Sequence, residues 1–278
     1  MKKILVPIDL SEQASKNMAF ATEMAKRIDA KVYVLHAYYL VNPRTADSSL
    51  YEEIPHKTDY EYELRRQMIV LAKPLLAAGI SHEFIIQQGS FHDVIQEVFN
   101  QHTFDLVVMS THEPHTIWKE LIGNHTSDML QFTNCPMLVL PFGAEVQIPK
   151  RIGFATDYEN LVTQKSALQT VKTYTKLFDA ELHILHIQKR KEEDLTEIVE
   201  FLEKEFENVP HIYHQQQTKK IQEGLMDFVD NQKLDMLVVV PKKHNFLENL
   251  MQKSITRTLV LHTHTPLLTV KTTESVSS

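Results

Sequence analysis

Short unbroken apolar runs alternate along this chain with longer segments whose apolar positions fall three or four residues apart. The first pattern predicts strands buried on both faces, the second amphipathic helices. In the first half, strands are predicted at 4–8, 32–35, 83–87, 106–109 and 137–140, with helices at 11–28, 62–78, 92–99 and 118–132. Ser11 is placed as the N-cap of the first helix, whose stripe is Ala14, Met18, Ala21, Ala25 and Ile28. Pro74 should bend the helix at 62–78 and Gly79 should stop it. Residues 38–60 are polar, carry Pro43 and Pro55, and read as an excursion. The second half repeats the alternation. Strands are predicted at 151–155, 182–187, 212–215, 236–240 and 267–270, the third of them weak, and helices at 161–178, 192–206, 221–229 and 247–261. Such alternation implies two tandem α/β domains, each a doubly wound five-stranded parallel sheet of Rossmann-like type. The expected boundaries are 1–142 and 149–272, with 273–278 a disordered tail.

The halves are also similar residue by residue. Ile4-Leu5-Val6-Pro7-Ile8-Asp9 returns as Ile152-Gly153-Phe154-Ala155-Thr156-Asp157, and Ala30-Lys31-Val32-Tyr33-Val34-Leu35-His36 as Ala180-Glu181-Leu182-His183-Ile184-Leu185-His186. Asp105-Leu106-Val107-Val108 returns as Asp235-Met236-Leu237-Val238, and Cys135-Pro136-Met137-Leu138 as Thr265-Pro266-Leu267-Leu268. A repeat this long is a whole domain rather than a solenoid unit.

Composition narrows the class. At 278 residues with 43% apolar and 23% charged, the chain suits two ordinary globular domains. Cys135 is the single cysteine, which excludes an intrachain disulfide framework and fits a reducing, cytoplasmic setting. The opening Met-Lys-Lys-Ile-Leu-Val-Pro is broken by Pro7 and Asp9, too early for a secretory segment, and no run is long enough to span a membrane. A net charge of −7 argues against a nucleic-acid partner.

In a doubly wound sheet, ligands gather at the carboxyl ends of the strands where strand order reverses. That singles out Asp9, His36, Ser110 and Thr111, with Asp157, His186, Val240 and Pro241 in the copy. The segments Ile4–Ser11, Val108–His112 and Asn134–Leu140, in this order and largely doubled, resemble the universal stress protein family in its tandem form. The resemblance implies a stress-response protein. It also implies a pairing of last strands, here 137–140 with 267–270 inside one chain, as a pseudo-dimer open to further homodimerisation.

The resemblance further directs attention to a loop of form G-x2-G-x9-G-[ST], by which nucleotide-binding members hold phosphates. Glycines let backbone N–H groups come close to the anion. Here the first copy aligns as Ser110-Thr111-His112-Glu113, nine residues, then Gly123-Asn124. Only one glycine remains, and Glu113 brings negative charge. Two like charges about 4 Å apart repel by roughly 1 kcal/mol in water and several-fold more near a protein surface. The second copy aligns as Val240-Pro241-Lys242-Lys243, nine residues, then Lys253-Ser254, with no glycine. Lys243 and Lys253 either hold an anion by charge or form a solvated basic loop. Asp9 and Asp157 match the family's acidic residue near the adenine and ribose. They read either as that contact or as caps of the following turn.

Neither a Walker loop, nor G-x-G-x-x-G after the first strand, nor a G-x-S-x-G elbow occurs. His112 with His115, His211 with His214, and His262 with His264 do not assemble three metal ligands by local spacing, so no metal is expected. The expected function is non-catalytic, through binding a small polar ligand or a protein partner, with ATP absent from the family's usual pose. The alternative is an adenine-nucleotide switch, taking ATP or AMP through the first domain with slow or no hydrolysis.

Overall fold

A computed structural model describes residues 1–39, 57–111, 129, 133, 135–144, 147–156, 161–188, 195–218, 221–240 and 265–270. By internal contacts the chain divides into two compact units. One is built on Met1–Met109; the other is built on Asn134–Ser278 and also takes in Ser110 and Thr111.

In the first unit β1 (Lys2–Pro7), β2 (Ala30–Tyr38), β3 (His82–Gln88) and β4 (Leu106–Ser110) lie in the order β3-β2-β1-β4, all parallel. Ile4, Leu5 and Val6 are wholly buried, as a strand covered on both faces must be. Helix α1 (Glu12–Ile28) buries Ala14, Met18, Ala21 and Ala25, four of the five stripe positions named from sequence. It ends at Asp29, whose φ of 50° is left-handed and whose N–H closes on Ala25 O.

The polar excursion is shorter than predicted at both ends. Strand β2 runs on to Tyr38, and a helix begins at Lys57. Tyr38 is buried and its hydroxyl donates to Glu61, so the sheet holds the start of that helix in place. The single bent helix predicted at 62–78 is two, α2 (Lys57–Leu71) and α3 (Lys73–Ala77), broken at Ala72. Pro74 sits in the first turn of α3, where its missing N–H costs nothing. After α4 (Phe91–Gln101) the chain enters β4.

In the second unit the strands are β5 (Met137–Leu140), β6 (Arg151–Thr156), β7 (Glu181–Gln188), β8 (His211–Gln217), β9 (Met236–Val239) and β10 (Leu267–Thr269). Their order is β5-β10-β9-β6-β7-β8. All neighbours are parallel except β5, which runs antiparallel to β10 with Leu138 opposite Leu268. This is the pairing of last strands expected from the resemblance. The predicted helix at 161–178 opens as a 3-10 turn, Leu161–Gln164, before α5 (Lys165–Phe178). That helix ends at Asp179, again left-handed with φ 52°, the counterpart of Asp29. Helix α6 is Thr196–Glu205 and α7 is Ile221–Asn231. The weak strand predicted at 212–215 is the seven-residue β8, because pairing along β7 satisfies a backbone its side chains only half bury. The helices predicted at 118–132 and 247–261 lie outside the described residues, save Met129. No described helix is long and apolar enough to cross a membrane.

Candidate functional site

The boundary between units falls inside β4, after Met109, so Asp9 and the start of the first loop are taken separately. Asp9 lies two residues past β1 and is exposed. Its Oδ1 accepts from the Ser11 N–H at 3.0 Å and from the Ser11 hydroxyl at 2.6 Å. Ser11 stands at the N-cap position with an extended backbone but makes no side-chain cap bond; its hydroxyl donates to Asp9. The carboxylate therefore organises the turn. Leu10 between them has φ 63°, a left-handed conformation that costs a branched residue about 1–2 kcal/mol. The turn is pinned from β2: the Ile8 N–H donates to Leu35 O at 2.8 Å, and His36 Nδ1 lies 2.9 Å from Ile8 O. His36 thus forms the local hydrogen bond its place at the strand end suggests. Gln13, the second residue of α1, is 7% exposed and its buried Nε2 has no hydrogen-bond partner among the described residues. Sequence pattern alone does not mark Gln13, since it lies beside the apolar stripe rather than on it.

In the second unit, Ser110 closes β4 half-buried, and Thr111 follows it 4% exposed. The Thr111 N–H donates to Leu140 O at 3.0 Å, and its Oγ1 accepts from the Phe142 N–H at 2.9 Å. The opening of the first loop is thereby tied to the end of β5. At the equivalent point of the copy, Pro241 has no N–H to give. Gly123, Asn124, Asp157, Lys243, Lys253 and Ser254 lie outside the described residues. So do His112, Glu113, His115, His262 and His264. Cys135 is half-buried. Among the described residues no cluster of three or more His, Cys, Asp or Glu is arranged to hold a metal ion.

Comparisons with known proteins follow the repeat. The model of the universal stress protein family matches residues 1–141 and again 149–271. Curated proteins give no significant match. Among solved structures, a universal stress protein from Archaeoglobus fulgidus DSM 4304 is similar at 18% identity and a TM-score of 0.74, over 97% of this chain and 96% of that one. A functionally unknown protein from Pseudomonas aeruginosa PAO1 is similar at 14% identity and a TM-score of 0.62, over 98% and 93%. A universal stress protein from Archaeoglobus fulgidus in complex with dAMP matches at 18% identity and a TM-score of 0.36, over 50% of this chain and 97% of that one.

Proposed function

Because this chain belongs to the universal stress protein family, through both of its halves, we propose that it acts by binding, without catalysis, and that ATP does not occupy it in the family's usual pose. The carrying observation is Thr111. At the start of the segment that aligns with the family's phosphate loop, its N–H is committed to Leu140 O and its hydroxyl oxygen to the Phe142 N–H. Those groups hold two chain segments together instead of facing an anion. The glycine-poor loop sequences support the same reading, since Glu113 and Lys243 align with motif positions at which the family's binders carry glycine. The antiparallel β5–β10 pair supports an intrachain pseudo-dimer, in which one polypeptide supplies both last strands. The single cysteine supports a reducing, cytoplasmic setting.

A second reading is favoured by Asp9. It stands exposed at the carboxyl end of β1, where an adenosine-like group would meet it. AMP or adenosine binding at the first unit needs no phosphate loop. Native mass spectrometry of freshly purified full-length protein, followed by calorimetric titration with ATP and magnesium, AMP and adenosine, separates these readings. The expected result is no ATP complex even at about 1 mM, which corresponds to roughly −4 kcal/mol. Magnesium-dependent ATP binding at about 1 μM or tighter overturns the proposal. Binding of AMP or adenosine alone establishes the second reading.

A further inference from the structure

On one face of the second unit's sheet, Glu181, His183 and His214 form a chain of hydrogen bonds. Glu181 and His183 are two apart on β7 and so share a face. The register pairs His183 with Ile212, which brings His214 to that same face of β8. Glu181 Oε2 lies 3.1 Å from His183 Nε2, and His183 Nδ1 lies 3.0 Å from His214 Nε2. The two rings are nearly parallel, 9° between planes and 5.1 Å between centroids. His183 is 4% exposed. Helix α7 closes over the pair with Phe228, whose ring stands 5.1 Å from that of His214. Gly153, level with His183 on β6, allows this closeness: a Cβ there would come within 2.5 Å of Leu234 Cδ1 and 3.3 Å of the Phe228 ring.

The proton positions follow from the donors available. An ionised carboxylate only accepts, so His183 Nε2 carries the hydrogen given to Glu181. His183 Nδ1 is then a lone pair, and it accepts from His214 Nε2–H. With both rings neutral, His214 Nδ1 is the ring nitrogen outside this chain of bonds. A first proton enters there without breaking a bond, and the cation stays connected to the carboxylate through His183. A second proton has to take His183 Nδ1 itself. That leaves two N–H donors and two positive charges face to face across 3.0 Å.

We propose that Glu181, His183 and His214 are an acid-operated fastener that holds β8 and α7 on this sheet, tolerating one proton and releasing on the second. Burial, then the neighbouring His183, pulls His214 below the ordinary histidine value, with Glu181 acting against them. The folded chain thus binds fewer protons than the unfolded chain just below about pH 6.5, so stability is whole above that pH and falls as the pH drops through it. Other charged groups on the packed elements are few. Arg151 on β6 is level with Glu181, and Glu223, Asp227 and Asp230 on α7 are at exposed positions. His211 lies on the opposite face of β8, 3.4 Å from Glu203. Helix α7 leads directly into β9, so release would be felt at the strand end that precedes Pro241.

The test follows the histidine Cε1–H resonances of the full chain by NMR through acid titration. The His214 ring should titrate below the ordinary histidine value. Hydrogen exchange, corrected for its intrinsic pH dependence, should show peptides of β8 and α7 losing protection roughly tenfold between about pH 7 and about pH 5, while those of β1 to β3 hold. The double variant His183→Tyr/His214→Ile, which copies Tyr33 and Ile85 of the first half, should abolish that loss. A His214 ring titrating at or above the ordinary histidine value, or equal loss of protection in the double variant, overturns the proposal. Should the double variant fail to fold, the titration of the native chain decides alone.

Discussion

The two halves place different chemistry on one backbone template. Leu5, Tyr33 and Glu83 stand side by side across β1, β2 and β3, and Gly153, His183 and Ile212 occupy the same places across β6, β7 and β8. In the first half this face carries Tyr33 packed edge-on to Phe104, with the Lys31 ammonium 4.7 Å from the Tyr33 ring and bonded to Glu83 at 2.7 Å. In the second, the same face carries the Glu181–His183–His214 chain with Phe228 against His214, and a further aromatic contact lies on the other side, where Phe154 meets Phe206 at 6.4 Å. The central strand shows how the volume moved. Adjacent residues point to opposite faces, so replacing Leu5-Val6 by Gly153-Phe154 empties one face and fills the other. Strand alternation and register are common to both halves, while the distribution of volume and charge between faces differs.

Exchanging the central residues should break the comparison most severely. Leu5→Gly removes a wholly buried side chain and adds backbone freedom, and is expected to cost about 3–5 kcal/mol. Gly153→Leu meets Leu234 and Phe228 and is expected to cost about 1–3 kcal/mol by overpacking. Urea unfolding of each variant measures both, and near-neutral swaps would show that the halves are interchangeable after all. A smaller effect sharpens the likeness. Asp105 accepts one backbone N–H, from Lys3 at 2.8 Å, whereas Asp235 accepts two, from Lys150 and Arg151, each at 2.8 Å. Asp235→Ala should therefore lower stability by about 2–3 kcal/mol and Asp105→Ala by about 1–2 kcal/mol, read from the same unfolding curves. Least of all, a double-mutant cycle with Lys31→Met and Glu83→Gln should give a coupling no larger than about 1 kcal/mol and weaker in salt, because Glu83 is 46% exposed.

Much of this organisation is legible in the sequence because it rests on periodicity. Ala14, Met18, Ala21 and Ala25 announce the buried face of α1, and the doubled strand motifs announce two sheets. Where a tertiary partner decides, the pattern falls short. Lys57–Tyr60 has no apolar stripe yet is helical, with Tyr38 reaching its first turns at Glu61. Strand β8 looks weak because one of its faces carries His214 and Gln216, which suit the partners they meet rather than a uniform core. Asp9 and Thr111 are singled out by the sequence pattern, but their commitments to Ser11, Leu140 and Phe142 depend on turns and neighbours that no spacing encodes. His183 and His214, 31 residues apart, meet only through the β7–β8 register.

The antiparallel seam between β5 and β10 sets an order on assembly. Its two strands are separated by well over a hundred residues, and Thr269 Oγ1 reaches Met137 O at 3.3 Å across that interval. Such a contact has a high loop-closure cost and forms late. During synthesis at about 5–20 residues per second, Met137–Leu140 waits roughly 7–25 s for its mate to leave the ribosome. Throughout that interval its unpaired margin is open to the strands of neighbouring nascent chains, which makes the emergence of β10 the point at which this polypeptide closes its own vulnerable border.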